Sequence, residues 1–131
     1  MTNSSTSLIV LKVTAVLTAL LSIWQAVVGF GWVDSFGQHG MIGNVSFVLM
    51  VVAAVAAFLW SRGTGDKGLF MHAAGMAVLA VVQIALGEMH LREVHMATGV
   101  LFLVGAVALA TLSLRRGAHS LPETGRTGVD R

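Results

Sequence analysis

The chain has no cysteine, and that absence removes a block of chemistry. Without thiols there is no disulfide framework, no Cys-based zinc or iron–sulfur site, and no CxxCH motif for covalent attachment of a c-type haem. Charge is the second scarcity. Only 11% of the 131 residues are charged, against about 25% in soluble domains. The few that exist are clustered. None lies between Lys12 and Asp34, Asp34 and Arg62, Lys67 and Glu88, or Glu93 and Arg115, and each interval holds 20 or more residues. About 20 apolar residues suffice to cross a bilayer as a helix. With 56% hydrophobic residues and a mean hydropathy of +0.84, the intervals read as four transmembrane helices with little chain to spare. A soluble enzyme, a nucleic-acid-binding domain and a sizeable extramembrane module are excluded. The pI near 10.0 reflects the positive ends of a membrane protein and not a nucleic-acid partner.

The expected fold is an all-α integral membrane protein, an up-down bundle with spans at about 8–30, 38–60, 69–87 and 94–114. Short connections favour antiparallel neighbours. Seven of the eight cationic residues fall on one side: Lys12, Arg62, Lys67, Arg115, Arg116, Arg126 and Arg131. Only Arg92 lies in a loop on the other side, beside Glu88 and Glu93. The positive-inside rule then makes both termini cytoplasmic, in a multi-pass protein of the cell membrane. Lys12, in the first turns of its span, can snorkel to the inner surface. Phe30, Trp32 and Phe36 are expected at the outer interface, and Trp60 and Phe70 at the inner one. The start, MTNSSTS, lacks the positive region of a secretory signal, so the first span is read as uncleaved. Residues 115–131 form a polar tail, expected to be cytoplasmic and mobile. Its Leu121-Pro122-Glu123-Thr124-Gly125 matches a sortase motif, but no hydrophobic segment follows and the topology puts it inside, so it is read as incidental.

The two halves of the chain resemble one another. Span 1 ends with Gln25-Ala-Val-Val-Gly29 and span 3 with Gln83-Ile-Ala-Leu-Gly87. Span 2 begins with His39-Gly-Met-Ile-Gly43 and span 4 with His95-Met-Ala-Thr-Gly99. With 15 glycines, one HxxxG means little, but two at matched positions, each after a QxxxG, define a pair of parallel helical-hairpin repeats. In a square bundle, spans 2 and 4 are diagonal and run in the same direction, so His39 and His95 can face each other at one depth near the outer end. A bis-imidazole haem site needs that arrangement. Gly43 and Gly99, one turn onward, are expected to leave room for a flat macrocycle. Gln25 and Gln83 could orient an imidazole or meet a propionate, and Arg92 is the nearby cation for propionates. The cofactor expected is one haem b.

Other readings stay open. A histidine in the first turn of a membrane helix can simply reach interfacial water, and small residues at i+4 are ordinary packing positions. His90, beside Glu88 and Glu93 and close to His95, could join His39 and Asp34 in a non-haem metal site. His72, at the cytoplasmic end of span 3, has no histidine counterpart in span 1. His119 falls in the tail. The main rival to haem binding is a cofactor-free accessory subunit of a larger membrane complex, such as a respiratory one. A transporter is disfavoured, because no intramembrane acid and base are paired.

The stretch Val82-Gln-Ile-Ala-Leu-Gly87, a short loop, then Val94-His95 opening a helix rich in small residues, resembles haem A synthase. The similarity covers one four-helix half of that family, about residues 8–114. Small four-helix membrane proteins of actinobacterial type share the outline. The resemblance implies a four-helix fold and axial ligation by His39 and His95; the role expected of such a bacterial membrane protein is electron transfer or haem handling, alone as a homodimer or within a respiratory assembly. It does not extend to the enzyme activity. Four residues before each ligand histidine, where the catalytic half of the family carries glutamate, this chain has Ser35 and Leu91.

Overall fold

The computed structural model describes residues 2–34 and 36–116; Met1, the side chains of Thr2 and Asn3, Ser35, the side chain of Phe36, and residues 117–131 with His119 and the 121–125 segment lie outside the described residues. Among the described residues the regular structure is helical throughout: α1 (Thr2–Gly29), α2 (Phe36–Thr64), α3 (Gly68–Glu88) and α4 (Arg92–Arg115). All four are long and apolar enough to cross a membrane. A helix satisfies its own backbone hydrogen bonds, which a chain surrounded by hydrocarbon must do. The outward faces carry Ile9, Val13, Leu20, Val48, Val55, Val78, Leu101 and Val104, all exposed. Such surfaces suit lipid and not water.

The helices outrun the spans read from hydropathy, chiefly at one place. α1 starts at Thr2, through the hydroxyl-rich TNSSTS segment, and α2 runs on to Thr64. These two ends lie together: a Cβ on Gly63 would sit 3.5 Å from the Ser4 hydroxyl. At 1.5 Å per residue, α1 and α2 are about 42 Å long and α3 about 31 Å, so the first hairpin projects past the second at the end where α1 begins and α4 stops. α4 includes Arg115, one residue beyond the expected tail boundary.

α1 packs against α2 and α4, and α3 packs against the same two. The diagonals α1/α3 and α2/α4 are out of backbone contact, so α2 and α4 face one another across the middle of a square bundle. The core fills only half of it. Leu11, Ala15, Ala19, Met50, Ala53, Ala57, Trp60, Leu69, Ala73, Met76, Ala80, Phe102, Ala106 and Leu109 form one buried cluster toward the terminal end. Alanine dominates because lipid supplies no hydrophobic drive between helices, and small side chains let backbones approach for dispersion contact. Trp60, expected at the interface, is instead inside this cluster and 7% exposed. The extra turn of α2 carries the helix past Trp60, which therefore lies beside the opening turns of α1 and α3. Phe30 and Trp32 do stand exposed at the opposite end, with ring centroids 5.9 Å apart.

Buried hydroxyls on α1 are satisfied locally. Thr14 donates to the Val10 carbonyl at 2.8 Å, Thr18 to Thr14 at 2.9 Å and Ser22 to Thr18 at 2.7 Å. This i−4 pattern lets polar side chains stay buried without a cross-helix partner. At the terminal end, Asp66 accepts from the Gly68 N–H at 2.9 Å and pairs with Arg116 at 2.7 Å, tying the α2–α3 turn to the end of α4.

Both hairpin turns at the other end begin with the same device. After α1, Trp32 N–H bonds the Val27 carbonyl and Gly31 N–H bonds Val28, with Gly31 at φ +77°. After α3, Leu91 N–H bonds the Leu86 carbonyl and His90 N–H bonds Gly87, with His90 at φ 57°. Each is a Schellman motif, which needs a left-handed residue at its C′ position. Glycine takes that conformation freely; histidine pays about 1 kcal/mol or a little more. His90→Gly is accordingly expected to raise stability by about 1 kcal/mol, read from reversible unfolding in detergent. No change or a loss would mean that the exposed His90 side chain holds the turn in another way.

Candidate functional site

The packed core stops near Ala19, Met50, Ala80 and Phe102, and the hairpin-end half of the bundle opens into a cavity of about 500 Å³. That is within the range of about 300–1,000 Å³ typical of small-molecule and cofactor sites. Its walls bring together Gln25, His39, Gly43, Gln83, Arg92, His95 and Gly99, each named from the sequence as a site residue. The opening is set by composition: at this depth the chain places glycines 29, 40, 43, 87 and 99 where the core has alanine, leucine and phenylalanine.

His39 and His95, from diagonally opposed α2 and α4, meet in this cavity with ring centroids 5.9 Å apart and planes inclined at 67°. Each ring lies against a glycine of the preceding helix. A Cβ on Gly29 would be 3.8 Å from His39 Cε1, and one on Gly87 would be 3.6 Å from His95 Cε1 and 3.7 Å from Nδ1. The glycines that touch the imidazoles are therefore those of QxxxG, which sequence reasoning had not singled out. Gly43 and Gly99 instead lie under the glutamine amides: a Cβ there would be 3.4 Å from Gln25 Nε2 and 3.6 Å from Gln83 Oε1.

The hydrogen bonds differ between the two hairpins. His95 Nδ1 lies 3.0 Å from the Gln83 carbonyl oxygen. A carbonyl only accepts, so Nδ1 carries a proton, and in the neutral ring Nε2 is then the nitrogen with the lone pair. The Gln83 amide donates to the Thr98 hydroxyl, which donates in turn to the Val94 carbonyl at 2.7 Å. On the other hairpin the position matching Thr98 is Ile42, which offers no hydroxyl. There Gln25 Nε2 reaches the His39 carbonyl at 2.8 Å instead. Gln25 Oε1, His39 Nδ1 and Ser46 Oγ are left buried without a protein partner. Buried polar atoms are normally paired, and all three of these residues line the cavity.

Glu88 and Arg92 are the charged residues of the cavity wall, both exposed at its rim. Among the described residues no group of three or more histidine, aspartate or glutamate side chains is disposed to hold a metal ion. The exposed His90 does not line the cavity. His72 is remote from the site, its Nε2 bonding the Gly105 carbonyl at 2.9 Å across α3 and α4. No family model, curated protein or solved structure matches this chain.

Proposed function

We propose that the chain is an integral membrane protein holding one b-type haem between His39 and His95 for electron transfer or haem handling. The observation that carries this reading is the histidine pair itself, 5.9 Å apart across the bundle diagonal inside a cofactor-sized cavity. The two rings enter one cavity from different helices, so His39 and His95 would be the residues to hold the iron of a haem there. His95 also has the tautomer a ligand needs: a metal-bound imidazole usually donates its other N–H to a carbonyl or carboxylate, and the Gln83 carbonyl accepts it here.

In this reading the haem supplies a reversible one-electron couple, and the protein supplies position and surroundings. The glycines 29 and 87 seat the two rings, Arg92 at the rim offers a cation for the propionates, and Gln25 and Gln83 line the cavity. The hairpins are parallel repeats, with matched QxxxG and HxxxG segments. Both termini face the cytoplasm of a bacterial cell, because Arg62, Lys67, Arg115 and Arg116 gather at the end where α2 and α4 stop. That puts the haem in the outer leaflet, in a fold similar to one half of haem A synthase without its glutamate.

Protein purified from cells with ample haem is expected to show a Soret band that shifts and sharpens with dithionite. A colourless protein that co-purifies with a larger complex would favour the accessory-subunit reading instead. The seat of His95 has its own prediction. Gly87→Val adds branches beyond a Cβ already 3.6 Å from the ring, and is expected to weaken haem binding about 10- to 100-fold by displacing a group that orients a ligand. Unaltered affinity in a haem titration would mean that the ring is positioned by other contacts.

A further inference from the structure

We infer that His95 is the permanent axial ligand and His39 an exchangeable one, so that the haem takes a small diatomic ligand, of which carbon monoxide is the probe, on the His39 face. This rests on the haem reading above. It comes from how differently the two imidazoles are held. His95 is fixed twice: Nδ1–H is bound to the Gln83 carbonyl, and both Cε1 and Nδ1 lie against Gly87. Its helix is braced by Gln83, whose amide bonds Thr98 one turn below. Of the His39 ring only Cε1 would come within 4 Å of a Cβ on Gly29, at 3.8 Å, and its Nδ1 is buried with no partner. The adjacent glutamine, Gln25, is drawn to the His39 carbonyl, because Ile42 stands where the other hairpin has Thr98.

A ligating imidazole whose second nitrogen is unpaired is both less basic and less tightly oriented, and groups of this kind are worth about 10- to 100-fold in metal affinity. Access and polarity on one face of a haem decide whether it binds a gas or only passes electrons. Around His39 there is room to move: Gly40 and Gly43 flank it along the same wall, and Gln25 Oε1 is a buried, unpaired acceptor that a displaced imidazole N–H could reach. In the exchange one iron–nitrogen bond gives way to one iron–carbon bond; no electron is transferred, and the freed imidazole stays within the protein.

The test adds carbon monoxide to the dithionite-reduced, haem-loaded protein in detergent. The wild type is expected to bind it, at a rate that levels off at high gas concentration because His39 must leave first. His39→Ala is expected to keep its haem and bind carbon monoxide at a rate that keeps rising with concentration. His95→Ala is expected to retain at least tenfold less haem than His39→Ala. A Soret band in the wild type that carbon monoxide does not shift, or equal haem loss in the two variants, overturns this inference while leaving bis-histidine ligation in place. The wild-type measurement needs no substitution and so survives any folding failure of the variants. A colourless wild type, before any gas is added, defeats the haem reading and this inference with it.

Discussion

With alanine at both His39 and His95, the purified protein is expected to lose its Soret band entirely while keeping its helical content and detergent-solubilised size. The two side chains belong to the open half of the bundle, not to the buried cluster between Leu11 and Leu109 that holds the helices together. Their polar contacts are few: one bond from His95 to the Gln83 carbonyl, and none from the His39 ring. Removing them deletes little packing and relieves one orphaned buried nitrogen. For a cofactor the same change is severe. Groups that merely orient a ligand are worth about 10- to 100-fold in affinity, and the loss of both ligands exceeds that. A Soret band that persists in the double variant would place the chromophore elsewhere, and a collapsed helical signal would mean that the pair is structural.

The second large effect is expected far from the site, at Gly105. A Cβ there would collide with Met76 Sδ and fall 3.1 Å from its Cε, and Met76 is itself buried against α4. The same residue's carbonyl accepts the His72 bond, so α3 and α4 are held close at this level. Methionine is adaptable, but its surroundings are the packed half of the bundle. Gly105→Leu is therefore expected to cost about 3 kcal/mol, at the upper end of overpacking effects, read as a shift in the detergent unfolding midpoint. The companion Met76→Ala removes the atoms in conflict. The double variant Gly105→Leu/Met76→Ala should recover much of the loss, a coupling that independent sites do not show. Additive losses would mean that the glycine matters through its backbone instead.

Much of this architecture could be read from the chain before its structure. The spans were legible because charge is so costly in hydrocarbon that its absence over 20 or more residues marks each helix. The pairing of His39 with His95 was legible because matched HxxxG segments opening the second and fourth helices of a square bundle lie on a diagonal. What was not legible depends on contacts across helices. Nothing in the composition tells that Trp60 turns inward, since an aromatic at a span end suits either interface or core. The part played by Gly29 and Gly87 is hidden for the same reason. Spacing along one helix pointed to Gly43 and Gly99, but the rings rest on Gly29 and Gly87 of the neighbouring helices. The unequal bonding of the two imidazoles turns on a single difference, Ile42 against Thr98, whose effect reaches the histidines through glutamines on other helices. Gly105 carries no motif at all.

Haem titrated into the haem-free protein, followed at the Soret band, is expected to saturate with its break at one haem per chain and to end in a spectrum of six-coordinate, low-spin iron. A linear rise with no break, or a saturated complex whose iron remains five-coordinate and high-spin when oxidised, would mean that His39 and His95 do not together hold one haem.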